Sequence, residues 1–193
     1  AFNEVLKILA KKEGNMPDVL GHRVVHGADI FNDHALIGEK EIEGLKKTQG
    51  LAPLHNPPAV SLIEACHKMY PELPQVAVFD TAYHSTIPET ARQYPLPGWL
   101  KEKYGIRKYG FHGTSHKFVV EETAKLLKIP EDKFTAVSCH LGSGGASLCA
   151  VIKGKSMDNT MGFSPLPGLV MSTRSGDIDP AVALKMSMRP GAD

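Results

Sequence analysis

The spacing of apolar and polar positions divides the chain into alternating helices and strands. Phe2, Val5, Leu6 and Leu9 recur at helical spacing and predict an amphipathic helix over 2–12. The run HRVVHG at 22–27 reads as a short strand ending in a glycine, and the charged stretch 40–49 reads as a helix. LAPLHNPP at 51–58 is a rigid turn ahead of a helix over 59–70, with Asn56 as its N-cap and Pro57 and Pro58 in the first turn, where missing N–H groups cost little. QVAVFD at 75–80 is a near-continuous apolar run, the pattern of a buried strand, and it delivers Asp80 to the strand's end. Residues 81–99, rich in Pro, Thr and Tyr, predict a crossing between two domains. An amphipathic helix follows over 116–127, capped by Thr114 or Ser115. Two β-prone runs then flank the bend 142–145 and predict a hairpin over 134–153. The turn at 176–180 opens a last helix over 180–188. Helices alternating with strands, plus one antiparallel hairpin, predict an α/β fold with a mixed sheet.

Composition narrows the class. Of 193 residues, 42% are hydrophobic and 22% charged, which suits a soluble globular protein and excludes disordered or fibrous classes. Lys and Arg number 22 against 21 Asp and Glu without a basic run, so neither nucleic acid nor a membrane surface is an expected partner, and an anionic ligand must be met locally. No apolar run approaches a membrane span, and the first residues lack the order of a signal peptide. Cys66, Cys139 and Cys149 are scattered and predict buried, reduced thiols, as in a cytoplasmic protein, rather than a disulfide framework or metal site. The chain has no initiator Met and both ends fall at apparent helices, so they read as cuts through a larger protein.

The chemistry collects at element ends. The small residues Gly142, Ser143, Gly144 and Gly145 allow backbone N–H groups to approach a ligand, and glycine tolerates the positive φ that aims successive amides at an anion. The same dipeptides also mark plain hairpin turns, so this stretch alone leaves both readings open. Arg23, His26, His55, Asp80, His84, His112, His116, His140 and Arg174 stand near predicted ends. Among the nine histidines only His112 and His116 have a zinc-like spacing, and no Glu follows them as in a metalloprotease helix, which argues against zinc. Arginines that grip oxyanions through planar forks, an aspartate for hydrated magnesium and a phosphate-sized bend together suit phosphoryl transfer. The plainer readings are surface ion pairing for Arg23 and Arg174, and capping or turn roles for Asp177 and Asp179.

The motifs GHRVVHG (21–27), APLHNPP (52–58), VAVFDTAYH (76–84), YGFHGTSH (109–116), SCHLGSGGAS (138–147) and MGFSPLPGLVMSTRSGDIDP (161–180) cover nearly the whole chain. In that order they resemble the acetate and propionate kinase family of the actin- and hexokinase-like superfamily. The resemblance implies an actin/ribonuclease H-like mixed sheet with flanking helices. It implies parts of two domains, 1–84 from the N-terminal acyl-kinase domain and 85–193 from the nucleotide-phosphate-binding domain. It implies reversible, magnesium-dependent, in-line phosphoryl transfer from ATP to acetate, giving acetyl phosphate and ADP. By similarity Arg23 and Arg174 would bind acetate and the phosphoryl group in flight, Asp80 would be the carboxylate near Mg²⁺, and His112 would stabilise the transition state. Val25, Leu54, Phe111 and Pro165, with Arg23, would form the short acyl site; His140, Leu141, Gly142, Ser143 and Gly144 would cradle nucleotide phosphates; His55 and His116 would line the site. A homodimer is expected of the full-length protein by likeness alone.

The chain departs from the family's pattern in two places. Ser143 and the pair Gly144 and Gly145 stand where the family usually has Asn and one glycine, and Ala28 replaces the second glycine usual after HG. The family's first phosphate loop and its adenosine-binding region are absent from this stretch, so the 193 residues alone are expected to be inactive. Alternatives are a truncated segment that binds a ligand or partner without turnover, a pyrophosphate-dependent acetate kinase, and a sugar kinase or chaperone ATPase of the same superfamily. The last would share the hairpin glycines without FDTAYH and FHGTSH.

Overall fold

A computed structural model describes Glu4 and residues 17–188 of the chain. The helix expected over 2–12 lies outside the described residues apart from Glu4. Two three-stranded sheets carry the fold. In the first, β1 (Leu20–Val24) runs parallel to β3 (Gln75–Phe79), and the two-residue β2 (Ala35–Leu36) pairs antiparallel on β3's other side. Parallel strands need a long crossover, supplied here by α1 (Glu39–Thr48) and α2 (Asn56–Met69). Ile42 and Leu45 of α1 and Val60 and Ile63 of α2 meet Val24, Ala77 and Phe79 in one core. β3 alternates buried and half-buried residues rather than being covered throughout as its apolar run predicts.

The second sheet is an antiparallel meander of β4 (Thr135–Gly142), β5 (Gly145–Ile152) and β6 (Lys155–Asn159). Helix α5 (Gly113–Leu127) covers it, with Val120 and Ala124 packed among Phe134, Cys149 and Val151. The mixed α/β fold with flanking helices is therefore as expected, although the mixed pairing belongs to the first sheet alone.

The stretch 81–99 is less open than its composition predicts. A 3₁₀ turn spans Ala82–Thr86, followed by the short helices α3 (Glu89–Arg92) and α4 (Gly98–Tyr104). Tyr83 donates its hydroxyl to the Gly154 carbonyl at 2.9 Å and Thr86 to the Ser156 carbonyl at 2.8 Å, which bolts the start of this segment to the second sheet. Buried His84 donates Nε2–H to the Phe111 carbonyl and accepts the Ser156 hydroxyl at Nδ1, each at 2.8 Å.

Both predicted caps are corrected. Asn56 is the first residue of α2, not its cap, because its amide has a stronger use: buried, it accepts from the His26 N–H and donates to the His26 carbonyl and the Thr48 hydroxyl, strapping the exit of β1 to the crossover. Neither Thr114 nor Ser115 caps α5; the helix begins at Gly113 with His112 before it in a left-handed conformation, φ 58°. The last helix, α6 (Pro180–Ser187), is capped by Asp179, which accepts from the Ala181 N–H. Cys66 and Cys149 are buried thiols, but Cys139 is exposed, since β4's alternation turns it away from α5.

Candidate functional site

An open cleft of about 660 Å³ lies where the first sheet, the start of α5 and the β4–β5 hairpin meet. On one side the parallel strands β1 and β3 end together, and the Asp80 N–H donates to the Val24 carbonyl at 3.0 Å. This side by side ending sets Arg23 against Asp80: Nε donates to Oδ1 at 3.0 Å and Nη2 to Oδ2 at 2.6 Å. The Asp80 side chain is 2% exposed and that of Arg23 63%, so the fork neutralises a buried carboxylate from the solvent side. The bond to Asp80 also holds the guanidinium pKa above its ordinary value.

Helix α5 is hooked onto the same strand end. The Gly113 N–H donates to the Asp80 carbonyl at 2.8 Å, and a Cβ at Gly113 would lie 2.2 Å from that oxygen. Only glycine permits this approach, which fixes His112 beside Asp80. Below His112, one turn along α5, His116 is wholly buried. The Ser147 hydroxyl shares hydrogen bonds with His112 Nδ1 at 2.9 Å and His116 Nε2 at 2.8 Å, and Ser138 meets His116 Nδ1 at 2.9 Å. His112 stacks on His140 with ring centroids 4.1 Å apart, and His140 Nδ1 bonds to the Ser115 hydroxyl at 2.9 Å. Burial lowers the His112 pKa to about 4, with His140, Arg23 and Arg174 adding repulsion, and lowers that of His116 to about 3. Both rings are neutral at pH 7.

The hairpin forms the other wall. Gly142 pairs with Gly145, so Ser143 and Gly144 make a two-residue turn. None of Gly142, Gly144 and Gly145 has a left-handed φ, contrary to the expectation for an amide nest. Space is what the glycine provides at Gly145, where a Cβ would sit 3.0 Å from His112 Nε2 and 3.4 Å from Arg174 Nη2. Arg174 donates to the carbonyls of Gly144 and Pro165, and Ser172 donates its N–H and hydroxyl to the Ser143 carbonyl at 3.0 and 2.7 Å. The hairpin tip and the loop carrying Arg174 are thereby one unit. The unusual Ser143 contributes its backbone to it, and the added Gly144 meets open space.

Of the residues expected at the site, the structure brings Arg23, Val25, His55, Asp80, Phe111, His112, His140, Gly142, Gly144, Pro165 and Arg174 to one cleft. Four expected residues stand elsewhere. Leu54 is 85% exposed in the turn before α2 and does not line the cleft. Leu141 is 74% exposed because strand alternation turns His140 and Gly142 toward the cleft and Leu141 away. Ser143 is at the hairpin tip but outside the lining, and His116 lies behind His112 rather than on the surface. Gly145 of the predicted bend lines the cleft as well, and so do Thr114, Ser115 and Phe118, to which sequence reasoning assigns no place in it. Sequence reasoning misses Ser138 and Ser147 too, although SCH and GAS place them on the same strand face as His140.

The acetokinase family profile matches residues 1–192. The chain belongs to the acetokinase family. An acetate kinase of Clostridium kluyveri is 53% identical over 188 residues, covering 94% of this chain and 46% of its own length. Among solved structures, a propionate kinase from Francisella tularensis superposes with a TM-score of 0.90 at 46% identity, over 96% of this chain and 48% of that one. An acetate kinase of Porphyromonas gingivalis gives 0.88 at 37% identity, over 99% and 50%. This acetokinase chain thus spans about half the length of the relatives it matches.

Proposed function

We propose that the chain supplies the acyl-binding and phosphoryl-transfer groups of an acetate kinase acting reversibly between ATP and acetate. The observation that carries this reading is the convergence of Arg23, Asp80, His112, Gly145 and Arg174 on one cleft. An acetate oxygen attacks the γ-phosphorus while the bond from phosphorus to the β–γ bridging oxygen breaks, in line. Acetate is already an anion, so no general base is required, and neutral His112 serves as a hydrogen-bond donor to a phosphoryl oxygen. Arg174 and Arg23 bind the carboxylate and the equatorial oxygens of the transferring group. Val25, Phe111 and Pro165 take the acyl methyl, a pocket that discriminates one methylene by only about 1–3 kcal/mol and so admits propionate.

Among the described residues no group of three metal-ligating side chains is present. Asp80 nonetheless fits a hydrated magnesium, since it is the one carboxylate in the lining and each oxygen keeps a lone pair beyond its bond to Arg23. When bound through Asp80, Mg²⁺ would neutralise charge on the phosphoryl oxygens. The hairpin and His140 face the donor phosphates, and the division near His84 separates an acyl half from a phosphate half. A cytoplasmic homodimer is the expected setting; among the described residues no helix is long and apolar enough to cross a membrane.

The test is acetate-dependent hydroxamate formation by the full-length gene product with ATP, or with pyrophosphate as the donor. Activity with ATP that falls about a hundredfold or more in Arg174→Ala supports the reading. No activity, or activity indifferent to Arg174, overturns it. The chain spans about half the length of its relatives, and the 193 residues alone are expected to be inactive.

A further inference from the structure

Behind the cleft lies a row of polar groups that the proposed chemistry does not touch. Ser138, His116 and Ser147 are all buried, and only His112 at the row's end reaches the cleft. The contacts run Ser138 Oγ to His116 Nδ1 at 2.9 Å, His116 Nε2 to Ser147 Oγ at 2.8 Å, and Ser147 Oγ to His112 Nδ1 at 2.9 Å.

A neutral imidazole has one donor and one acceptor nitrogen, and a hydroxyl has one proton. Two arrangements run the hydrogen bonds of the row in one direction throughout; a third, in which Ser147 accepts from both rings, leaves the buried Ser147 proton without an acceptor among the described residues. In the first, Ser138 donates to His116 Nδ1, His116 Nε2–H donates to Ser147, and Ser147 donates to His112 Nδ1, which leaves His112 with Nε2–H toward the cleft. In the second, every bond is reversed and His112 shows the cleft a lone pair. The two differ at the buried end. Among the described residues Ser138's hydroxyl has no hydrogen-bond partner but His116. The reversed row therefore leaves its proton buried without an acceptor, and an unmet buried donor is costly. Burial, with repulsion from the neighbouring histidines, keeps both rings neutral, so protonating one of them to escape the choice is also disfavoured.

We propose that Ser138, His116 and Ser147 are positioning residues that fix the tautomer of His112, so that Nε2–H faces the transferring phosphoryl group. The polarity is set at Ser138 and passed along the row to the cleft, where an Nε2 lone pair would repel a phosphoryl oxygen. The inference rests on the phosphoryl-transfer reading for its purpose, but the tautomer itself is a property of the resting protein.

The test is imidazole ¹⁵N NMR of the full-length protein, read together with kinetics. The wild type is expected to show His112 as the Nε2–H tautomer. Ser138→Ala keeps the Cβ and removes the donor that sets the direction, so His112 is expected to move toward a mixture of tautomers, with kcat about tenfold lower and KM for acetate within about twofold. Ser147→Ala breaks the row and is expected to lower kcat by about ten- to a hundredfold, with Ser147→Thr and Ser138→Thr restoring both tautomer and rate. A wild-type Nδ1–H tautomer overturns the proposal without any variant, so it stays falsifiable if the alanine proteins fold poorly. An Nε2–H tautomer unchanged in both folded alanine variants overturns it equally. If the spectra behave as expected while acetate is not phosphorylated, the kinase reading falls and the positioning row stands. An active enzyme whose spectra do not move in the variants keeps the kinase reading and overturns the positioning row.

Discussion

Arg23 and Arg174 reach the same cleft from two walls and are held there by different means. Arg23 forks onto a carboxylate that is itself buried at the end of a parallel strand. Arg174 is tied to main-chain carbonyls of Gly144 and Pro165, so its partners are neutral and belong to turns. The first wall is a charge pair set in a core, while the second is a set of loops closed on each other by backbone bonds. A buried ion left alone is expensive, whereas a carbonyl at a turn can turn to water. The first wall should therefore be stiff and intolerant, and the second should be the one able to release its arginine to a ligand.

The largest effect is expected where the two walls are joined. Gly113→Ala places a Cβ 2.2 Å from the Asp80 carbonyl, a backbone atom at the end of β3 that has no free side chain to yield. Destabilisation of about 3 kcal/mol is expected, with loss of activity, because Asp80 and His112 are pushed apart. Urea unfolding of wild type and variant measures it; a change under about 1 kcal/mol would show that the walls are not locked through this glycine.

Next comes the contrast between the arginines. Arg23→Ala leaves a carboxylate buried without its fork and is expected to cost about 1–3 kcal/mol of stability as well as activity. Arg174→Ala loses only bonds to carbonyls at the surface and is expected to cost about 1 kcal/mol with an equal loss of activity. Equal stability losses in the two variants would break the comparison.

Acid acts on the imidazoles between the walls. Burial holds His26, His84 and His112 at about 4 and His116 at about 3, all below the ordinary value of 6.5. The unfolded chain therefore binds more protons than the folded one from about pH 6.5 downward, and stability, full above pH 6.5, is lost as pH falls toward about 4. Each such proton changes stability on the order of 1.4 kcal/mol per pH unit. The urea midpoint is expected to drop between about pH 7 and pH 5, and a flat midpoint over that window would mean that these rings are solvated.

The difference between the walls also governs what the sequence reveals. The strand that ends at Asp80 and the short strand carrying Arg23 are visible as apolar runs with a charge at the tip, because parallel strands concentrate ligands at their ends. The hairpin is visible from its glycines, but their role is not. The expected positive φ is absent, and Gly145 is needed for clearance from His112 and Arg174, which depends on partners distant in the chain. Leu54 and His116 fail for a related reason. Their motif neighbours His55 and His112 reach the cleft, and only the turn and the helix decide that one points to solvent and the other into the core. Asn56 looks like a cap because the local pattern fits; a long-range strap to His26 overrides it.

The smallest expected effect tests how far the first wall tolerates strain. Ala28 follows the β1 exit in a left-handed conformation, φ 54°, with its N–H donated to His26 Nδ1 at 2.9 Å. An L-residue there costs about 1–2 kcal/mol. Ala28→Gly removes that strain, while the greater freedom of glycine in the unfolded chain returns about 0.4–1 kcal/mol of it. The balance is a stabilisation of about 0.5 kcal/mol, read as a small rise in the urea midpoint with activity unchanged. A loss of stability instead would mean that the methyl packs against the wall by more than its backbone strain costs, and that the stiffness of the first wall extends beyond the Arg23–Asp80 pair into the loop that follows β1.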